Sequence, residues 1–142
     1  MITFVLDASV AVKWAIPAKE PLRDESTRLL ERYVDGDIDF IVPDIFWAEI
    51  GSVMCNGARR GRWSRTDAES IAADMRARDF GTVPSHILLP EALRIAFRYD
   101  RSIYDALYAA LALESKSTLI TADERLANAL AAHLPVKWLG AF

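Results

Sequence analysis

The sequence is poor in the residues on which many catalytic kits depend. A single cysteine, Cys55, excludes an internal disulfide and suits a reducing compartment. It lies within an apolar helical segment and reads as core. The only histidines are His86, beside Pro84 and Ser85, and His133, on the apolar face of the expected last helix; both read as structural. There is no glycine-rich phosphate loop and no G-x-S-x-G elbow, so neither phosphate-loop nucleotide binding nor serine hydrolysis has its motif.

Long apolar runs are missing as well. The longest, Ala106 to Leu113, is far short of the roughly 18 residues a membrane span needs. The N-terminus has no basic leader and reaches a carboxylate at Asp7, so it does not read as a secretory signal. Cytoplasmic residence is the expectation. Excess positive charge is also absent: a net charge of −3 and pI near 5.4 exclude nucleic-acid binding by bulk electrostatics. Such binding would have to be local, and Arg59, Arg60, Arg62 and Arg65 around Trp63 offer phosphate contacts and a stacking surface in one segment. The alternative for that segment is a solvated helix end and loop.

What is present fits a folded protein. Apolar residues make up 52% of the 142 and charged residues 26%, enough to bury a core in one domain spanning residues 1–142. Ile2 to Leu6 is a bulky apolar run without helical period and predicts a buried strand. A short helix over Val10 to Trp14 is expected to stop at Pro17, and a longer one to begin near Pro21 with Leu22, Leu29, Leu30, Tyr33 and Val34 on one face and Gly36 at its end. Phe40 to Val42 predicts a second strand, followed by a helix started by Pro43 and Asp44 and running to about Ala58.

Thr66 to Glu69 has capping-box spacing and predicts a helix with Ala68, Ile71, Ala72 and Met75 inward. Gly81 to Ser85 reads as a break. Helices follow over Glu91 to Tyr99 and Ile103 to Leu113, then a strand over Thr118 to Thr121, a helix over Glu124 to Ala132 and a short strand over Val136 to Leu139. Strands alternating with helices imply an α/β sandwich with a mostly parallel central sheet and helices on both faces.

Four acidic residues stand out against this frame. Parallel sheets place their sites beyond the carboxyl ends of the strands, and Asp7 and Asp123 each follow one directly. Either also suits a plain helix cap. Asp105 is the only charged residue between Ile103 and Leu113, so a carboxylate in a largely buried helix must be capped, paired or bound to a cation. Ser102 three residues before it supplies a capping-box alternative. Glu49 lies at the edge of the apolar stripe of Ile45, Phe46, Ile50, Val53 and Met54, with Ser52 and Asn56 continuing the polar edge. A doubly wound sheet would bring the four to one edge. Two carboxylates about 4 Å apart repel by ~1 kcal/mol in water and ~4 kcal/mol at an effective dielectric near 20, so such a cluster needs protons or cations. All-oxygen ligation selects Mg²⁺ or Mn²⁺ over zinc.

The segments around these acids, Val5 to Trp14, Pro43 to Val53, Tyr104 to Ala112 and Leu119 to Leu126, resemble in order and spacing those of the PIN-domain family, specifically its VapC-type toxins. The resemblance covers essentially the whole chain. It implies a PIN-like nuclease domain acting as a Mg²⁺- or Mn²⁺-dependent endoribonuclease on structured RNA, such as transfer or ribosomal RNA, within a toxin–antitoxin pair. It implies that Asp7, Glu49, Asp105 and Asp123 form the catalytic metal site, that the hydroxyls of Ser9 and Thr121 support it, that the chain is a homodimer and that its antitoxin is a separate small protein. One departure is Asp100-Arg101, where relatives often carry a glycine.

Rival readings make different demands. A haloacid dehalogenase-like phosphoryl-transfer enzyme wants a second acid two residues after Asp7, where Ser9 stands. A receiver-type signalling domain wants an aspartate ending a middle strand, whereas Val42-Pro43 leads into a helix. A catalytically inactive binding or assembly module would not need all four acids.

Overall fold

The computed structural model describes residues 1–16 and 20–142. Five strands form one all-parallel sheet in the order β3-β2-β1-β4-β5: β1 (Ile2–Leu6), β2 (Ile38–Pro43), β3 (Gly81–Val83), β4 (Thr118–Thr121) and β5 (Val136–Trp138). The expected sandwich is the one observed. Seven α-helices are seen among the described residues: α1 (Ala8–Ala15), α2 (Arg23–Val34), α3 (Ile45–Arg59), α4 (Arg65–Ala77), α5 (Ser85–Tyr99), α6 (Ile103–Ser115) and α7 (Glu124–Leu130). None is long and apolar enough to cross a membrane.

The strand order explains where chemistry can gather. From β1 the chain winds outward to β2 and β3, then returns past β1 to β4 and β5. Right-handed crossovers in both directions put α1 to α4 on one face and α5 to α7 on the other, and leave a crevice at the carboxyl ends of β1 and β4. Leu6 and Ile120 are in register there, and the Asp7 amide donates to the Ile120 carbonyl at 3.1 Å. The strands at this centre need apolar residues on both faces. Val5, Leu6, Leu119 and Ile120 are accordingly fully buried.

Packing on the first face is led by aromatic rings. Trp14, Tyr33, Phe40, Phe46 and Trp47 surround Phe80 and one another at centroid distances of 4.9 to 6.4 Å. The Trp14 indole donates to the Ser26 carbonyl and that of Trp47 to the Thr82 hydroxyl. Phe40, Phe46 and Phe80 are buried, with Trp14, Tyr33 and Trp47 packed partly buried against the core, and Ala106 to Ala112 of α6 are buried on the other face.

Several local expectations are corrected. The cap of α4 is Ser64, whose Oγ accepts from the Asp67 amide at 3.0 Å; Thr66 lies inside the helix. Gly81 to Val83 is an edge strand, too short and exposed to show an apolar run. Helix α5 starts at Ser85 and passes through Pro90, giving up one backbone bond. Cys55 is exposed, because the buried stripe of α3 runs Phe46, Ile50, Met54, Gly57 and passes it by. Helix α7 ends at Leu130, which leaves His133 exposed in the following turn beside Tyr99. Val34 is exposed at the end of α2, and Leu139 opens a 3₁₀ turn after β5. Gly36 does end α2 region geometry as expected, at φ +81°. The expected stop at Pro17 lies outside the described residues.

Candidate active site

Asp7, Glu49, Asp105 and Asp123 line one cleft of about 350 Å³ together with Ala8, Ser9, Val12, Ser52 and Val53. Each acid arrives on a different element. Asp7 follows β1, Glu49 sits in the second turn of α3, Asp105 in the first turn of α6, and Asp123 follows β4. A larger groove of about 590 Å³ between α3 and α4 is mostly apolar and contains none of them.

Asp7 stands at the N-cap position of α1 without capping it. Its Oδ2 accepts instead from Thr121 Oγ1 at 2.6 Å and Ser9 Oγ at 2.9 Å. Those hydroxyls accept in turn from the amides of Asp123 and Ala122, each at 3.0 Å. The hydroxyl pair therefore ties the end of β4 to the start of α1 and orients the Asp7 carboxylate. Burial raises the Asp7 pKa, the two hydroxyl donors oppose that rise, and the charge of Asp105 adds to it.

Glu49 is half-buried, and its Oε1 accepts from the Tyr108 hydroxyl at 2.6 Å. Burial raises its pKa too; Tyr108 opposes the rise, while Asp7 and Asp105 reinforce it. For Asp105, burial comes first, a hydrogen bond with Ser102 opposes it, and Asp123 adds repulsion. Ser102 Oγ accepts from the Asp105 amide at 3.1 Å, so half of the capping box is real and the carboxylate still faces its acidic neighbours. Asp123 does cap: its Oδ1 accepts from the amides of Arg125 and Leu126 at 3.0 and 3.2 Å.

The donor set fits a hard divalent cation. Three of the four acids carry pKa values raised by burial and by one another, and among the described residues no lysine or arginine ion-pairs with any of the four. Excess negative charge on oxygen ligands is what Mg²⁺ and Mn²⁺ satisfy. As the side chains stand, no three acidic, histidine or cysteine groups among the described residues close around one point.

The arginine segment is not brought to the carboxylates. Arg59 lies ten residues beyond Glu49 on α3, about 15 Å along the axis at helical rise. Trp63 is packed into the α3–α4 hairpin, its indole donating to the Met54 carbonyl at 2.9 Å and its ring lying on Gly57. Arg62 pairs with Glu20 at 3.9 Å and Arg65 with Glu69 at 2.9 Å, while Arg59 and Arg60 are exposed. Tyr108 is the site-contacting residue that sequence reasoning missed. The available signal was its position three residues after Asp105, on the same helical face.

No curated protein sequence matches the chain. Solved structures share its fold at low identity. The PAE2754 protein from Pyrobaculum aerophilum superposes with a TM-score of 0.74 at 19% identity, covering 99% of this chain and 91% of that one. A toxin–antitoxin complex from Klebsiella pneumoniae gives 0.62 at 17%, covering 94% of each chain. VapBC2 from Rickettsia felis, bound to a DNA fragment from its promoter, gives 0.63 at 15%, covering 96% of this chain and 98% of that one. The PIN domain family model matches residues 4–130, which hold β1 from Phe4, β2, β3 and β4 and all four acidic positions, and the chain belongs to the PIN domain family.

Proposed function

We propose that the chain is a metal-dependent endoribonuclease, a single nuclease domain over residues 1–142 that acts as the toxin of a toxin–antitoxin pair. The observation that carries the reading is the gathering of four carboxylates, none ion-paired among the described residues, on one cleft at the switch point of the sheet. Asp7, Glu49, Asp105 and Asp123 hold Mg²⁺ or Mn²⁺. When bound, the ion supplies Lewis acidity at the scissile phosphate and activation of the attacking water.

The chain's own residues do the rest. Ser9 and Thr121 fix Asp7 from one side, and Asp123 stays rigid because its cap holds it at the start of α7. The exposed Arg59 and Arg60 meet a strand that leaves the cleft along α3, with Arg62 and Arg65 available by exchanging carboxylate for phosphate. Trp63 contributes by bracing that segment more than by stacking bases. The substrate class is structured RNA such as transfer or ribosomal RNA. The fold likeness to toxin–antitoxin complexes supports a cognate antitoxin; a homodimer and a cytoplasmic setting are part of the same proposal.

The test is incubation of parent and Asp7→Asn protein with a transfer and ribosomal RNA pool in Mg²⁺, Mn²⁺ or EDTA. Discrete cuts that need metal and vanish in the variant are expected, with 5′-phosphate and 3′-hydroxyl ends. Products ending in 2′,3′-cyclic phosphate reject the chemistry. A parent that binds Mn²⁺ and cuts no RNA favours an inactive binding module.

A further inference from the structure

Tyr108 is a polar residue in the most apolar part of the molecule. It is 2% exposed, on a helix whose neighbours from Ala106 to Ala112 are all buried. Its hydroxyl is not left unsatisfied: it accepts from the Ala8 amide at 3.4 Å and donates to Glu49 Oε1 at 2.6 Å. Three elements meet at that one oxygen, since Tyr108 belongs to α6, Ala8 to the start of α1 and Glu49 to α3. Phenylalanine would fill the same space without the cost of burying a hydroxyl, so packing does not account for a tyrosine here.

The bond has a fixed direction. A carboxylate oxygen only accepts, so the phenol is the donor, and the Ala8 amide fills the acceptor side of the same oxygen. Asp7 shows the same arrangement, with both hydroxyl donors on Oδ2 alone. In each acid the hydroxyl donors fall on one oxygen and leave the other free of them. Groups that orient a metal ligand in this way tune affinity about 10–100-fold without touching the ion.

We propose that Tyr108 is a positioning residue that fixes Glu49 as a single-oxygen ligand and thereby sets how tightly the cleft holds its divalent ion. The proposal rests on the metal-site reading given above. It concerns Glu49 specifically, which distinguishes it from a general contribution of Tyr108 to the core.

The experiment is a Mn²⁺ titration, read as loss of the free-ion electron paramagnetic resonance signal, on parent, Tyr108→Phe, Glu49→Gln and the double variant. Tyr108→Phe is expected to weaken Mn²⁺ binding about tenfold. In the Glu49→Gln background the same change is expected to have no further effect, because the charged ligand it positions is gone. Equal affinity of parent and Tyr108→Phe overturns the proposal and leaves the metal site standing. An equal fold-loss in both backgrounds also overturns it, since that marks a purely structural role. A parent that binds no Mn²⁺ overturns both the metal site and this inference. Should Tyr108→Phe fail to fold, the parent and Glu49→Gln suffice: the shielded Tyr108 hydroxyl proton is expected to give a slowly exchanging resonance that Mg²⁺ moves in the parent and leaves unmoved in Glu49→Gln. A resonance indifferent to Mg²⁺ in the parent counts against the proposal.

Discussion

Thr121 is a fully buried hydroxyl used twice, donating to Asp7 and accepting from the Asp123 amide. Thr121→Val keeps the shape and strips both partners of their bond. We expect a loss of about 1–3 kcal/mol in metal-free stability, measured by urea unfolding. Asp7→Asn acts the other way. The raised pKa means that the folded state pays to keep Asp7 ionised, so neutralising it should raise the metal-free melting temperature. An unchanged or lower melting point would show that the carboxylate is better accommodated than its burial suggests. At this scale Asp7, Asp105 and Asp123 were legible because a carboxylate beside apolar runs is conspicuous in sequence. Tyr108 was not, since a tyrosine among leucines and alanines reads as one more core ring until its hydroxyl partner is known. Asp100 adopts a left-handed conformation, φ 52°, which gives a physical reason for the glycine expected there.

Among the elements, the α3–α4 hairpin carries the sharpest test. The Trp63 ring lies so close on Gly57 that an added Cβ would come within 1.8 Å of it. Gly57→Ala should therefore undock the ring and cost about 1–3 kcal/mol despite the gain in helix propensity, with a change in tryptophan fluorescence. Capping gives a paired prediction: Ser64→Ala should cost about 1 kcal/mol and Thr66→Ala far less, since only Ser64 accepts an amide hydrogen bond at the start of α4. Buried strands and long amphipathic helices could be placed from hydrophobic period alone. Strand β3 and the true start of α5 could not, because edge pairing of Gly81 to Val83 with β2 and the passage of a helix through Pro90 are decided by tertiary contacts.

For the molecule as a whole, stability depends on pH through the acidic cleft. Asp7, Glu49 and Asp105 have raised folded-state pKa values, so in the metal-free protein the native state binds protons more readily than the unfolded chain. Their contribution is greatest below the unfolded values of about 4 and is lost as pH rises through the raised folded ones. Asp44, whose carboxylate accepts from the Ser85 hydroxyl and amide, has a lowered pKa and contributes the opposite slope, lost as pH falls through its folded value. Thermal scans of the metal-free protein should thus show stability declining above about pH 4, with a shallower decline in Asp7→Asn. At neutral pH a hundredfold excess of Mn²⁺ over Kd should add about 2.7 kcal/mol and raise the melting temperature by about 5–10 °C, a response that Asp7→Asn should blunt.

Strand order also has a temporal meaning. Asp7 and the hydroxyl of Thr121 that orients it are 114 positions apart in the chain, joined only because β4 lies beside β1. A ribosome has therefore made the first carboxylate of the cleft long before its partners exist. No nascent fragment that stops short of residue 123 contains the complete acidic set. Synthesis interrupted before residue 118 releases β1, β2 and β3 without the strand that completes the acidic cleft.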